Sequence, residues 1–169
     1  MTQTDLAAFL AHSVELESEA RERYLELADA MRAHHNTEVA DFFMRMAHES
    51  GLHLEEVAQI AAENALPDLK PWEFDWPGEE SPETASYEAI HYRLSLRQAI
   101  QLALENELAA QAFYASFARS SADAATGELA AQFAHEESQH AAQLSAMLKE
   151  LPPDDAHHRE DDDDPHMPE

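Results

Sequence analysis

Two residue types able to bind metal ions recur along this chain at positions where their side chains can converge: Glu17, Glu107 and Glu137, with His53 and His140. Carboxylate oxygen and imidazole nitrogen are ligands for hard and borderline divalent metals. The sequence contains no cysteine, which excludes disulfides, thiolate zinc sites, iron–sulfur clusters and thiol nucleophiles. Any metal must therefore sit on oxygen and nitrogen.

The elements that would position these residues can be traced by steps of three and four, the spacing of core-facing residues on a bundle helix. On the first helix the inward line is Leu10, Ser13, Glu17, Ala20, Tyr24, Leu27, Met31, and on the third it is Ile100, Ala103, Glu107, Ala110, Tyr114, Phe117. The two share Glu-x-x-Ala-x-x-x-Tyr at an offset of 90 residues. The second helix gives Val39, Phe43, Met46, Ser50, His53, Val57, Ile60, and the fourth gives Ala130, Phe133, Glu137, His140, Leu144, Met147. Around them, residues 47–53 (AHESGLH) and 134–140 (AHEESQH) align without a gap at an offset of 87. The chain thus reads as two related helix hairpins.

Polar residues fall near the middle of every line, at one level of the bundle. A single core histidine is usually a hydrogen-bonded structural residue, and a single glutamate usually sits at a stripe's edge. Three buried carboxylates facing one another are different, because burying unpaired charge is costly, and they need a cation or bound protons. A metal site is the reading that accounts for all four helices together.

Composition agrees with long helices. Three glycines among 169 residues, with 44% hydrophobic content, suit an all-α domain with a sizeable core. The pattern predicts helices from about Thr4 or Asp5 to Arg32, then to about Asn64, from Ser95 to about Ser120, and from about Asp123 to Glu150. Residues His34 to Thr37 read as a connection with a cap. Residues 65–81 hold three of the eight prolines and both tryptophans, so they read as a long crossover, with Ser81 before Pro82 opening a short helix to about His91. Trp72, Phe74 and Trp76 in that crossover are expected to cap an end of the core or to meet another copy. Residues 1–150 form the bundle domain, and 151–169, stopped by Pro152 and Pro153, read as an acidic disordered tail.

The formal charge is −25, from 35 acidic and 10 basic side chains, which repels nucleic acid and anionic membrane and attracts cations. Much of that charge serves to solvate outer helix faces. No window approaches the ~18 apolar residues of a membrane span, and the N-terminus lacks a basic region followed by a long apolar run, so a cytoplasmic protein is expected.

At these residues the sequence resembles the ferritin-like superfamily, and within it the rubrerythrin-type di-iron domains. Glu17-Ser18-Glu19-Ala20-Arg21-Glu22-Arg23-Tyr24 is similar to the first helix of rubrerythrins, and Glu137-x-x-His140 to the family's Glu-x-x-His ligand motif. The resemblance covers about residues 5 to 150 and implies a ferritin-like four-helix bundle of two hairpins joined by a long crossover. It implies an iron site with Glu17, His53, Glu107, Glu137 and His140 as ligands, for two ions or for one tight and one weak, with another divalent metal as the alternative. Tyr24 is implied as a hydrogen-bond donor to Glu137, and Tyr114 as a donor at the level of Ser50.

Ser50 stands where the family pattern has a metal-bridging glutamate, and Ala110 where rubrerythrins carry an additional one. Glu49 is a reserve ligand, since one residue along a helix is a rotation of about 100°. His48 and His135 repeat off the inward lines, either lining an entry path or standing at the surface. Without cysteine there is no built-in iron module for electron delivery, so a redox cycle needs a separate electron donor. The resemblance implies a di-iron oxidoreductase reacting with oxygen or peroxide, and a homo-oligomer such as a dimer. A non-catalytic iron binding or storage protein is the second expectation, and a metal-free bundle acting as an interaction module the third.

Overall fold

A computed structural model describes residues 2–64 and 93–153, and these form four helices. They are α1 (Thr2–Ala33), α2 (Thr37–Glu63), α3 (Leu96–Ser120) and α4 (Ala124–Glu150). No strand occurs among the described residues. The expected crossover with its tryptophans, the short helix after Ser81 and the acidic tail from residue 154 lie outside them.

Helix α1 packs chiefly on α2 and α3 on α4, while α1 with α4 and α2 with α3 join the two hairpins. The directions follow from the ends. The first turn of α3 and the last turn of α4 pack with the end of α1 and the start of α2, around Met31, Val39, Leu94, Ile100 and Leu144. Helix α2 therefore ends at the opposite end of the bundle from the start of α3. The fold of the described residues is an all-α four-helix bundle of two packed hairpins.

Local sequence explains the boundaries. Ser95 starts α3 with a capping box: its hydroxyl accepts from Gln98 N at 3.0 Å, and the Gln98 side chain accepts from Ser95 N at 2.9 Å. Asp123 starts α4, its carboxylate accepting from the backbone N and the hydroxyl of Thr126. At the far end of α4, Arg97 of α3 donates to the carbonyls of Leu148, Leu151 and Pro152, which have no partner within a helix that is ending.

The α1–α2 turn departs from expectation. His35 takes a positive φ of 63°, and Asn36, at the cap position of α2, makes no side-chain cap bond. Its amide instead donates to Leu94 O at 2.8 Å, tying the turn to the approach of α3. A long-range bond has taken the side chain that a local cap would have used.

The inward lines are buried over most of their length, with His53, Ile60, Phe117, His140 and Met147 partly buried. On α1 the inward-line residues from Leu10 to Met31 are at most 3% exposed, Glu17 included. The apolar core forms two clusters. One holds Tyr24, Phe42, Phe43, Met46 and Ile100, and the other Phe9, Leu16, Val57, Tyr114 and Phe133. The polar layer lies between them, closed on both sides by aromatic and aliphatic packing.

Candidate metal centre

That layer gathers the five expected side chains. Glu17 comes from α1, His53 from α2, Glu107 from α3, and Glu137 with His140 from α4. His53 Nδ1 stands 3.7 Å from Glu17 Oε1 and 3.8 Å from Glu137 Oε1. His140 Nδ1 stands 3.6 Å from Glu137 Oε2 and 3.9 Å from Glu107 Oε2. The two imidazoles meet edge to face, with centroids 5.1 Å apart. Glu137 is thus the shared element, with one oxygen towards each histidine.

Burial makes the layer electrostatically demanding. Glu17, Glu107 and Glu137 are 3%, 8% and 1% exposed, and both histidines are partly buried. Burial, then the charge of Glu107, pushes the Glu17 carboxyl up to about 8, against the Tyr114 hydrogen bond. Burial and the adjacent Glu137 carboxyl push Glu107 up to about 10. Glu137 rises to about 8 through burial and the charges of Glu17, Glu136 and Glu49, partly offset by the Glu107 carboxyl. His53 is shifted down, by burial first and His140 second. Without a cation, then, the layer holds protons near neutral pH.

Among the described residues, one carboxylate oxygen of the layer has no protein partner. Glu137 Oε2 is buried without a hydrogen-bond partner, an arrangement that calls for an unseen ligand or proton. His53, Glu137 and His140 can each turn a ligand atom to within 4.8 Å of the others. Two donors held by one ion at about 2.1 Å each are roughly 3–4 Å apart, which the nitrogen–oxygen separations match. A divalent metal bound by oxygen and imidazole fits the layer, and carboxylate with imidazole suits iron among others.

The surrounding residues depart in part from expectation. Tyr114, fully buried, donates to Glu17 Oε1 at 3.1 Å, so its hydroxyl serves α1 rather than the Ser50 level. The hydroxyl of Tyr24 accepts from Asn106 Nδ2 at 3.4 Å, which brings in a buried neighbour of Glu107 that the inward lines did not pick out. Seven residues along a helix is ~10 Å, so both tyrosines reach across to another helix. Ser50 is buried at 7% exposure, on the inward line. Glu49 is partly buried and, with His140, Arg45 and Met46, lines a cavity of about 60 Å³. His48 and His135 are exposed.

A second group was missed altogether. His53, Glu56 and Glu136, all partly buried, can also bring ligand atoms within 4.8 Å of one another. A signal was present in the sequence, since Glu56 lies three residues after His53 on the same helix face. Tracing only one line per helix hides it.

Comparison with known proteins agrees with this architecture. A crystal structure of an uncharacterized conserved protein from Magnetospirillum magnetotacticum MS-1 is similar to this chain at 36% identity with a TM-score of 0.64, covering 88% of this chain and 97% of that one. No curated protein matches. The rubrerythrin family model matches residues 8–148, the span that holds all four helix cores and every side chain of the polar layer, and the chain therefore belongs to the rubrerythrin family.

Proposed function

We propose that the polar layer is an iron centre with Glu17, His53, Glu107, Glu137 and His140 as its ligands, and that the protein is an oxidoreductase acting with oxygen or peroxide. The observation that carries this reading is Glu137: buried, facing both histidines, and with one oxygen that has no hydrogen-bond partner among the described residues. Bound iron would supply the change of oxidation state that none of these side chains can supply. The carboxylates give up their protons to become ligands, and Tyr114 steadies Glu17 by its hydrogen bond. The two apolar clusters keep bulk water from the layer along the bundle axis. Electrons come from a separate donor, because the chain has no cysteine with which to hold an iron–sulfur relay.

Ser50 favours a second reading, non-catalytic iron binding. Three carboxylates cannot neutralise two ferrous ions, so one ion is held tightly and the other weakly unless Glu49 or hydroxide completes the set. Titration with ferrous iron under argon, followed by exposure to oxygen with ascorbate as the electron donor, separates the readings. Rapid oxidation with repeated turnover is expected. Stable binding without turnover would support the second reading, and no binding would overturn both.

A further inference from the structure

His53 stands in two groups of possible ligands at once. Towards the core it meets Glu137 and His140, and away from it Glu56 and Glu136. Helical geometry accounts for the second group: Glu56 follows His53 by one turn, and Glu136 precedes Glu137 by one residue, turned about 100° to the flank of the same helix. All three side chains are partly exposed, whereas Glu17 and Glu137 are buried. The outer group is therefore the face of the layer nearer to solvent.

Among the described residues nothing neutralises it: neither Glu56 nor Glu136 pairs with lysine or arginine, and the hydrogen bond given to Glu136 is from the neutral Gln132 amide at 3.4 Å. Two carboxylates and a neutral imidazole match a divalent first-row cation in charge and donor type, with open positions left to water. A separate observation gives the site a direction. On the inward side of the same imidazole, Glu137 has Oε1 at 3.8 Å from His53 Nδ1, and its Oε2, turned to His140 at 3.6 Å, is buried without a hydrogen-bond partner among the described residues.

We infer that His53, Glu56 and Glu136 form an outer divalent-cation site through which the buried centre is loaded. Passage inward exchanges Glu56 and Glu136 for Glu17 and Glu137, a ligand exchange with no change of oxidation state. The loading role rests on the reading of the buried layer as a cation centre. The outer ligand set does not.

Cobalt(II) as the probe, with the full-length chain, tests the two parts separately. In a Glu107→Gln/Glu137→Gln background, which disables the buried layer with isosteric amides, equilibrium dialysis should still find one weakly bound Co²⁺. Adding Glu56→Gln and Glu136→Gln should remove it. In the otherwise unmodified chain, Glu56→Gln/Glu136→Gln should slow filling of the buried centre about tenfold or more, followed by stopped-flow absorbance, without lowering final occupancy. Glu55→Gln/Glu128→Gln removes the same charge from exposed positions on the same two helices and should slow it less than about twofold. Circular dichroism checks that each variant is folded.

A background that binds no Co²⁺, or one whose Co²⁺ survives the added pair of substitutions, overturns the outer site. Loading rates equal to those of the charge-matched control overturn its role. Should the buried centre fail to bind in the unmodified chain, the background variant would hold as much Co²⁺ as the parent, which marks failure of the iron reading instead. The outer site would then stand without a loading function.

Discussion

Two side chains decide how the polar layer behaves. Tyr114 packs edge-on against Phe133 with centroids 5.4 Å apart and gives its one hydroxyl hydrogen to Glu17. Tyr114→Phe keeps the ring and loses the bond, so we expect stability to fall by about 1–3 kcal/mol, the cost of leaving a buried polar group unpaired. The bond also opposes the upward shift of Glu17. Its loss should make protons stronger competitors, moving cation binding to higher pH, and a titration followed at several pH values would detect this. An unchanged midpoint and binding curve would show that water or another group replaces the hydroxyl. Ser50 sets the charge of the layer. Ser50→Glu adds a fourth carboxylate at a buried position one turn from His53. The metal-free protein should lose stability, while metal content should rise towards two ions per chain with faster iron oxidation. Two ions bound tightly by the unmodified chain would mean that Glu49 or another group already fills the gap.

At the scale of the helices, the same physics that made the fold legible also sets where legibility ended. The three-and-four spacing located Glu17, Glu107 and Glu137 on buried faces because a helix in a bundle has little choice of which face to bury. Ser95 and Asp123 marked their helix starts because a cap acts within three residues. The connection at His34 to Thr37 was legible too, but not what its Asn36 side chain does: its amide bonds Leu94 O, 58 residues away, a partner that no local pattern contains. The Tyr114–Glu17 bond and the approach of Glu56 to Glu136 were hidden in the same way, since each depends on how two helices are turned towards one another. Arg97 is another such long-range element, joining the start of α3 to the carbonyls that end α4. Arg97→Ala should cost roughly 1–2 kcal/mol through the loss of charge-assisted hydrogen bonds and should fray the last turn of α4. Faster amide exchange confined to that turn, with the centre of the bundle unaffected, is the expected signature. Uniformly faster exchange would mean that the tie supports the whole bundle.

For the whole molecule, the buried layer links folding to pH and to cations. Each of the three carboxyls is raised above its ordinary value, Glu17 and Glu137 to about 8 and Glu107 to about 10. Between about pH 4.5 and those values the folded, metal-free protein binds protons that the unfolded chain has released, so stability must fall as pH rises. The contribution is fully present below the unfolded value and is lost as pH passes through the folded ones. The net charge of −25 acts in the same direction, because self-repulsion is relieved by protonation. A bound cation reverses the balance, since it needs deprotonated ligands and so binds better as pH rises, adding stability to the folded state alone. We therefore expect the unfolding midpoint of chelator-treated protein to fall steadily from about pH 5.5 to about pH 8.5, and the gap between metal-loaded and metal-free midpoints to widen over the same range. Replacing Glu17, Glu107 and Glu137 together by glutamine removes the buried titration while leaving the surface charge, so it should flatten much of the metal-free slope and close the gap. A metal-free midpoint that instead rises with pH would mean that the carboxylates are already paired with positive charge, and that the layer is built as an ion-pair network with no call for a cation.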